Sequence, residues 1–311
     1  MQSPTYAIYG KIIVDNIRLR DGRIIPGRLG GGGPQASFGA RLWADDVALL
    51  TRSGTDLEAE HEQTLRALGL DLSGWMRHAD LPTPRGLMQY DDDERLFDHG
   101  IQTSRDAWFA LLGRPVVLAE RHRAARGIHL ISEFGDEPMA HEALALRRHG
   151  VFVSLEPIFD NHSCSDPTTL LDLCRQVDAV TPDWPAASML AGSDDLATVT
   201  RFWAGLGAGA VAIRRGSLGS IVWDRTHATW WNIATVPIEV VDPTGAGNAY
   251  GGGWFVTIAA TGDAREAGCH ATVSAALILT AAGMPPLDAD ARARARQLLE
   301  IARQRATPLF G

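Results

Sequence analysis

The residues best suited to chemistry form one short stretch, Asp242-Pro-Thr-Gly-Ala-Gly-Asn248, followed by Ala-Tyr-Gly-Gly-Gly-Trp254. Thr244, Gly245, Ala246 and Gly247 present consecutive backbone N–H groups with little side-chain bulk. A helix beginning there turns its unpaired N–H groups and the positive end of its dipole toward an anion. Glycine adds backbone conformations that other residues resist. The chemistry predicted is the cradling of a phosphate, with the Asn248 amide at the rim. Gly251, Gly252 and Gly253 then interrupt an apolar helical run. Glycine lowers helix propensity, so close packing or close ligand approach is the expected reason.

Other stretches carry polar groups that fit a ligand site. Gly30-Gly-Gly-Gly-Pro34 is a flexible loop in which Gly31, Gly32 and Gly33 allow a hydroxylated ligand near the backbone, with Gln35 beside it. Asp15 follows the first apolar segment, and a carboxylate accepts two or more hydrogen bonds from hydroxyls. Arg214-Arg-Gly216-Ser217-Leu-Gly219 follows another apolar segment, and its arginines suit phosphates. Asp183 can bind a hard cation, and Glu156 supplies a further acid at a strand end.

Residues 242–254 resemble D-x-T-G-A-G-D-x-F-x-G-G, the C-terminal signature of the ribokinase-like, or PfkB, family of sugar and nucleoside kinases. The resemblance spans roughly residues 5–285. It implies a doubly wound α/β fold with a small β lid, and ATP- and Mg²⁺-dependent phosphoryl transfer to a hydroxyl of a small sugar-like or nucleoside-like acceptor. It places Gly245, Ala246, Gly247 and Asn248 at the catalytic turn. Thr244, Arg214, Gly216, Ser217, Gly219 and Thr272 join Gly245 and Gly247 around the nucleotide. Asp15, Gly31, Gly32, Gly33 and Gln35 fall on the acceptor, and Asp183 and Glu156 near the metal. It also implies pairing through the lid into a homodimer.

This chain departs from the family at three places. The final Asp of the signature, the family's base, is Asn248, and a side branch reading P-T-G-x-G-N matches better. The glycine loop lacks the family's Asn, and Ala186 stands where P-N-x-x-E has its Glu. An amide takes up no proton near neutral pH, and general-base help is typically worth ~10²–10⁴-fold. Phosphoryl transfer depends mostly on positioning and charge stabilisation, so loss of the base slows it without forbidding it. Asp15 is a candidate replacement base. Two readings stay open: a kinase working without the usual base, and a ligand- or nucleotide-binding protein on a kinase fold.

The elements that must hold these residues read as an alternation of strands and helices. Strands are expected over 5–14, 47–50, 128–132, 151–155, 177–180 and 211–214, and a hairpin over 220–224 and 229–235. Helices are expected over 35–43, 56–68, 138–149, 167–176 and 196–206, and three more from Thr244 onward. Such alternation predicts a mostly parallel sheet covered on both faces, with ligands beyond the C-terminal strand ends. The lid is expected from about 15–28 and 75–100, around the acidic turn Asp91–Glu94. One domain over 1–311 is the simplest organisation.

A chain of 311 residues with 45% hydrophobic content builds a substantial core. A net charge of −8 argues against nucleic acid as a partner. No segment reads as a signal peptide or a membrane span, and the three cysteines lack metal or disulfide spacing, so a reducing cytoplasm is expected. His129 and His162 read as structural or surface residues. Four consecutive glycines are not the dinucleotide fingerprint G-x-G-x-x-G.

Overall fold

The computed structural model describes residues 4–18, 22–90, 96–159 and 167–310. His162, Cys164 and the Asp91–Glu94 turn lie outside the described residues. A ten-stranded sheet forms the centre of the molecule. Its seven parallel strands run in the order Trp75–His78, Val47–Gly54, Tyr6–Tyr9, Gly127–Ser132, Phe152–Pro157, Ala179–Val180 and Ala210–Arg214. Ser220–Asp224, Thr229–Ile233 and Ala306–Pro308 extend it antiparallel at one edge.

The pleat sends alternate side chains to opposite faces, and both faces are dry. From strand Tyr6–Tyr9, Ala7 and Tyr9 enter one core cluster, while Tyr6 and Ile8 enter another. The first cluster packs against helices Pro138–Arg147, Pro167–Gln176 and Leu196–Gly205 through Ala140, Leu173 and Trp203. The opposite face carries helices Gly33–Arg41, Ala246–Thr261 and Ala264–Ile278. This is the α/β architecture expected, a large, mostly parallel sheet between two helical layers. Cys174 and Cys269 are buried thiols, and burial pushes each up to about 12.

The glycines of the 246–261 helix owe their presence to packing. A Cβ on Gly252 would run into the carbonyl of Ala36, and one on Gly39 into the carbonyl of Ala249. The two helices thus cross backbone to backbone. A Cβ on Gly253 would strike Ser274 Oγ of the next helix.

The structure redraws the sequence-derived reading at three places. The expected strand over 5–14 breaks at Gly10, where a Cβ would lie 2.6 Å from Gly33 Cα. After the break the chain leaves the main sheet. Ile13–Arg18 pairs with Ile24–Gly30 and Arg85–Tyr90, and Leu96–Ile101 completes a second, four-stranded sheet. Trp75–His78, expected in the lid, instead pairs with Val47–Gly54 in the main sheet. The C-terminal strand Ala306–Pro308 was not legible, being three residues long and ending in proline.

Candidate active site

The two glycine-rich segments meet at the C-terminal ends of the parallel strands. Lys11 donates its backbone N–H to Gly31 O at 3.1 Å, and Gly33 donates back to Lys11 O at 3.2 Å. This clamp requires positive φ at Gly31 (87°) and Gly32 (82°), a region that other residues rarely enter. A Cβ on Gly32 would stand 2.9 Å from Asn248 Nδ2, so the first loop is moulded against the second.

Gly245, with φ of 81°, caps helix Ala246–Thr261. The first bond into that helix runs from Ala249 N to Gly245 O at 3.0 Å. The N–H groups ahead of it face out of the helix end, as the geometry of a first turn requires. Thr244 departs from the expectation for the cradle. Its N–H already donates to Asp242 Oδ1 at 2.9 Å in a tight Asx turn. Thr244 therefore drops out of the run of outward N–H groups, which begins at Gly245.

Behind the turn lies a buried charged cluster. Arg214, at the end of strand Ala210–Arg214, donates from Nη1 to Glu156 Oε1 at 2.6 Å. Asn248 Nδ2 donates to the same oxygen at 2.9 Å. On the far side, Glu156 Oε2 is 3.7 Å from His129 Nε2. The Glu156 side chain is 1% exposed and that of Arg214 10%. Burial works against the Glu156 charge, but Arg214 and His129 outweigh it and hold the carboxyl below its ordinary value. Burial likewise disfavours the Arg214 cation, and Glu156 and Asp183 reverse that, raising its pKa.

Glycines open the space this cluster occupies. A Cβ on Gly251 would lie 2.5 Å from Glu156 Oε2, and one on Gly247 would lie 2.8 Å from Arg214 Nη1. The guanidinium therefore sits directly against the turn at Gly247, and its buried Nε has no hydrogen-bond partner. Glu156, expected near a metal, has one oxygen shared by two donors and the other walled in by His129 and Gly251. Asp183 is exposed and caps helix Trp184–Ala191, accepting from Ala186 N at 2.8 Å. Among the described residues, no group of three or more His, Cys, Asp or Glu side chains gathers to hold a metal.

The remaining expected residues sort by burial. Asp15 is buried in the second sheet, with its Oδ2 against Gly30. Gln35 is buried on the first turn of its helix, packed on Gly245; its amide donates to Leu29 O, and its Oε1 has no partner. Gly216 and Ser217 form an exposed turn, and Gly219 closes it. Thr272 is buried inside helix Ala264–Ile278, its hydroxyl unpartnered.

Sequence reasoning missed a second set of polar residues. A cavity of about 270 Å³ is lined by Tyr9, Lys11, Arg52, Phe109, Glu133 and Glu137, among others. Arg52 Nη1 donates to Tyr9 Oη at 2.7 Å, and Tyr9 donates on to Glu137 Oε2 at 2.7 Å. Burial, then Glu137, raises the Tyr9 pKa. Lys11 pairs with Glu133 at the rim. Ile131 lines this cavity and also lies near Gly32, the glycine against which Asn248 packs. A charged Arg52 directly after the apolar run Val47–Leu50 and Thr51 was the available signal.

Comparison with known proteins gives this geometry a family. Residues 15–288 match the profile described as pfkB family carbohydrate kinase. A cytidine kinase from Thermococcus kodakarensis is 27% identical over 248 residues, covering 80% of this chain and 86% of that protein. An Escherichia coli protein provisionally called ribokinase II, solved with ATP and Mg²⁺, superposes with a TM-score of 0.78 at 18% identity, over 96% of this chain and 99% of that one. A Burkholderia thailandensis nucleoside kinase, solved with inosine, gives a TM-score of 0.71 at 19% identity, over 96% and 97%. The strand order, the paired glycine loops and the matched residues agree: the chain belongs to the pfkB family of carbohydrate kinases.

Proposed function

We propose that this protein is a Mg²⁺- and ATP-dependent kinase acting on a hydroxyl of a small nucleoside-like acceptor. The observation that carries the reading is the buried Arg214 guanidinium lying against Gly247 at the open N-terminus of helix Ala246–Thr261. A fixed cation, backbone donors and a helix dipole converge there, which is what a transferring phosphoryl group requires. The 27% identical cytidine kinase favours a nucleoside over a simple sugar.

In this reading the acceptor hydroxyl oxygen bonds to the γ-phosphorus, and the bond to the β–γ bridging oxygen breaks. ADP leaves with the electron pair, and the hydroxyl proton passes to solvent. Asn248 accepts a hydrogen bond from the hydroxyl and orients it. Asp15 and Gln35 hold the acceptor's other polar groups, and the Tyr9–Arg52–Glu137 cavity receives its bulk. The Gly216–Gly219 turn and Thr272 border the nucleotide. Asp183 is the carboxylate that would hold hydrated Mg²⁺, which neutralises phosphate charge; Mg²⁺ commonly uses one or two carboxylates plus phosphate oxygens.

Titration calorimetry of Mg·ATP into the native protein and into Gly247→Val tests the site. A valine there must displace Arg214 and fill the phosphate space, so affinity is expected to fall at least ~10-fold, a loss of ~1.4 kcal/mol. Equal affinity in a folded Gly247→Val protein would put the nucleotide elsewhere.

A further inference from the structure

We infer that Glu156 is a positioning residue that fixes which end of the Asn248 amide meets the acceptor. The inference rests on the kinase reading above. It starts from the two hydrogen bonds converging on Glu156 Oε1, from Arg214 Nη1 at 2.6 Å and from Asn248 Nδ2 at 2.9 Å. An ionised carboxylate accepts hydrogen bonds and donates none. Only the NH₂ arm of Asn248 can therefore face it. The carbonyl arm, Oδ1, is turned the other way, and it is an acceptor suited to a substrate hydroxyl.

Without Glu156 the amide has two near-equivalent orientations, and one of them offers the hydroxyl a donor where it needs an acceptor. Arg214 in turn holds Glu156, and Gly251 leaves it room. The same contact explains the departure at position 248. A carboxylate there would sit beside the Glu156 carboxylate, and two like charges in one buried site are not both sustained. Asn248 and Glu156 are a matched amide–carboxylate pair, so an aspartate at 248 calls for an amide at 156.

The test is a charge-swap cycle: Asn248→Asp, Glu156→Gln, and the two combined. In the double variant the donor and acceptor exchange places, the cluster keeps one carboxylate, and Arg214, His129 and Asp183 are unchanged. Steady-state kinetics at pH 8 with ATP and the best nucleoside acceptor, together with thermal unfolding, read the result. Each single variant is expected to lose kcat by at least ~10-fold, with a lowered Tm, and the double to recover Tm to within a few degrees and kcat to at least about one third of the native value. Recovery of Tm without recovery of kcat would make the pair structural only and overturn the positioning role. Native-like kcat and Tm in Asn248→Asp alone would overturn the pairing itself. A native protein that turns over no acceptor would remove the kinase reading and the positioning role with it, while the Tm cycle would still report whether residues 156 and 248 are coupled.

Discussion

Replacing Arg214 with methionine gives the sharpest view of what the buried cluster costs and contributes. Methionine keeps a long apolar stem and removes the charge. Glu156, 1% exposed, then keeps a hydrogen bond from Asn248 but loses its counter-ion. Breaking a buried pair by deleting one partner typically costs ~3–5 kcal/mol, because the remaining charge stays desolvated. At about 2 °C per kcal/mol for a large domain, Tm is expected to fall by roughly 6–10 °C. Circular dichroism melts at pH 7 measure it. Adding Glu156→Gln to Arg214→Met removes the stranded charge and is expected to return at least half of the loss, since neutral replacement of a buried pair is often tolerated. A Tm for Arg214→Met within 2 °C of the native value, or no return in the double variant, would refute the argument that this pair is sealed from water.

The same cluster gives stability a pH dependence. The Glu156 carboxyl is held below its ordinary value of 4.5, so its contribution is fully present above that pH and is lost as pH falls through the lower folded value. Acid melts should show the native protein losing stability below pH 4.5 and its lead over Arg214→Met shrinking there. Gly252→Ala should destabilise the fold although alanine favours a helix by ~1 kcal/mol, because overpacking against Ala36 O typically costs ~1–3 kcal/mol; a higher melting point would contradict the backbone contact. Arg52→Met should raise KM for the acceptor more than KM for ATP, since Arg52 lines the cavity proposed for the acceptor and not the 245–247 turn proposed for phosphate. Kinetics with each substrate varied in turn would check that split.

The layered α/β fold was legible because strand and helix periods alternate along the chain and the strands are apolar on both faces. The glycines at 251–253 announced close approach, and helix crossing at Gly252 is what they permit. The break at Gly10 was hidden, since Ile12, Ile13 and Val14 continue the apolar run while the chain changes sheets. The glycine-capped helix start at Gly245 was readable from local residue types alone. The Glu156–Asn248 contact was not, because the partners lie 92 residues apart and only the sheet brings them together. Arg214 was readable as a phosphate-binding candidate, whereas its neutralisation by Glu156 needed the strand register.

The central claim is phosphoryl transfer to a nucleoside-like hydroxyl by a site that uses Asn248 in place of a carboxylate base. ADP formation measured with the native protein, Mg²⁺ and a panel of nucleosides and sugars tests it most directly. The account predicts ADP release that requires Mg²⁺, rises with a nucleoside above the acceptor-free rate, and disappears in Gly247→Val. Tight ATP binding with no acceptor-dependent ADP release from the native protein would contradict it, and would assign the fold a binding role instead.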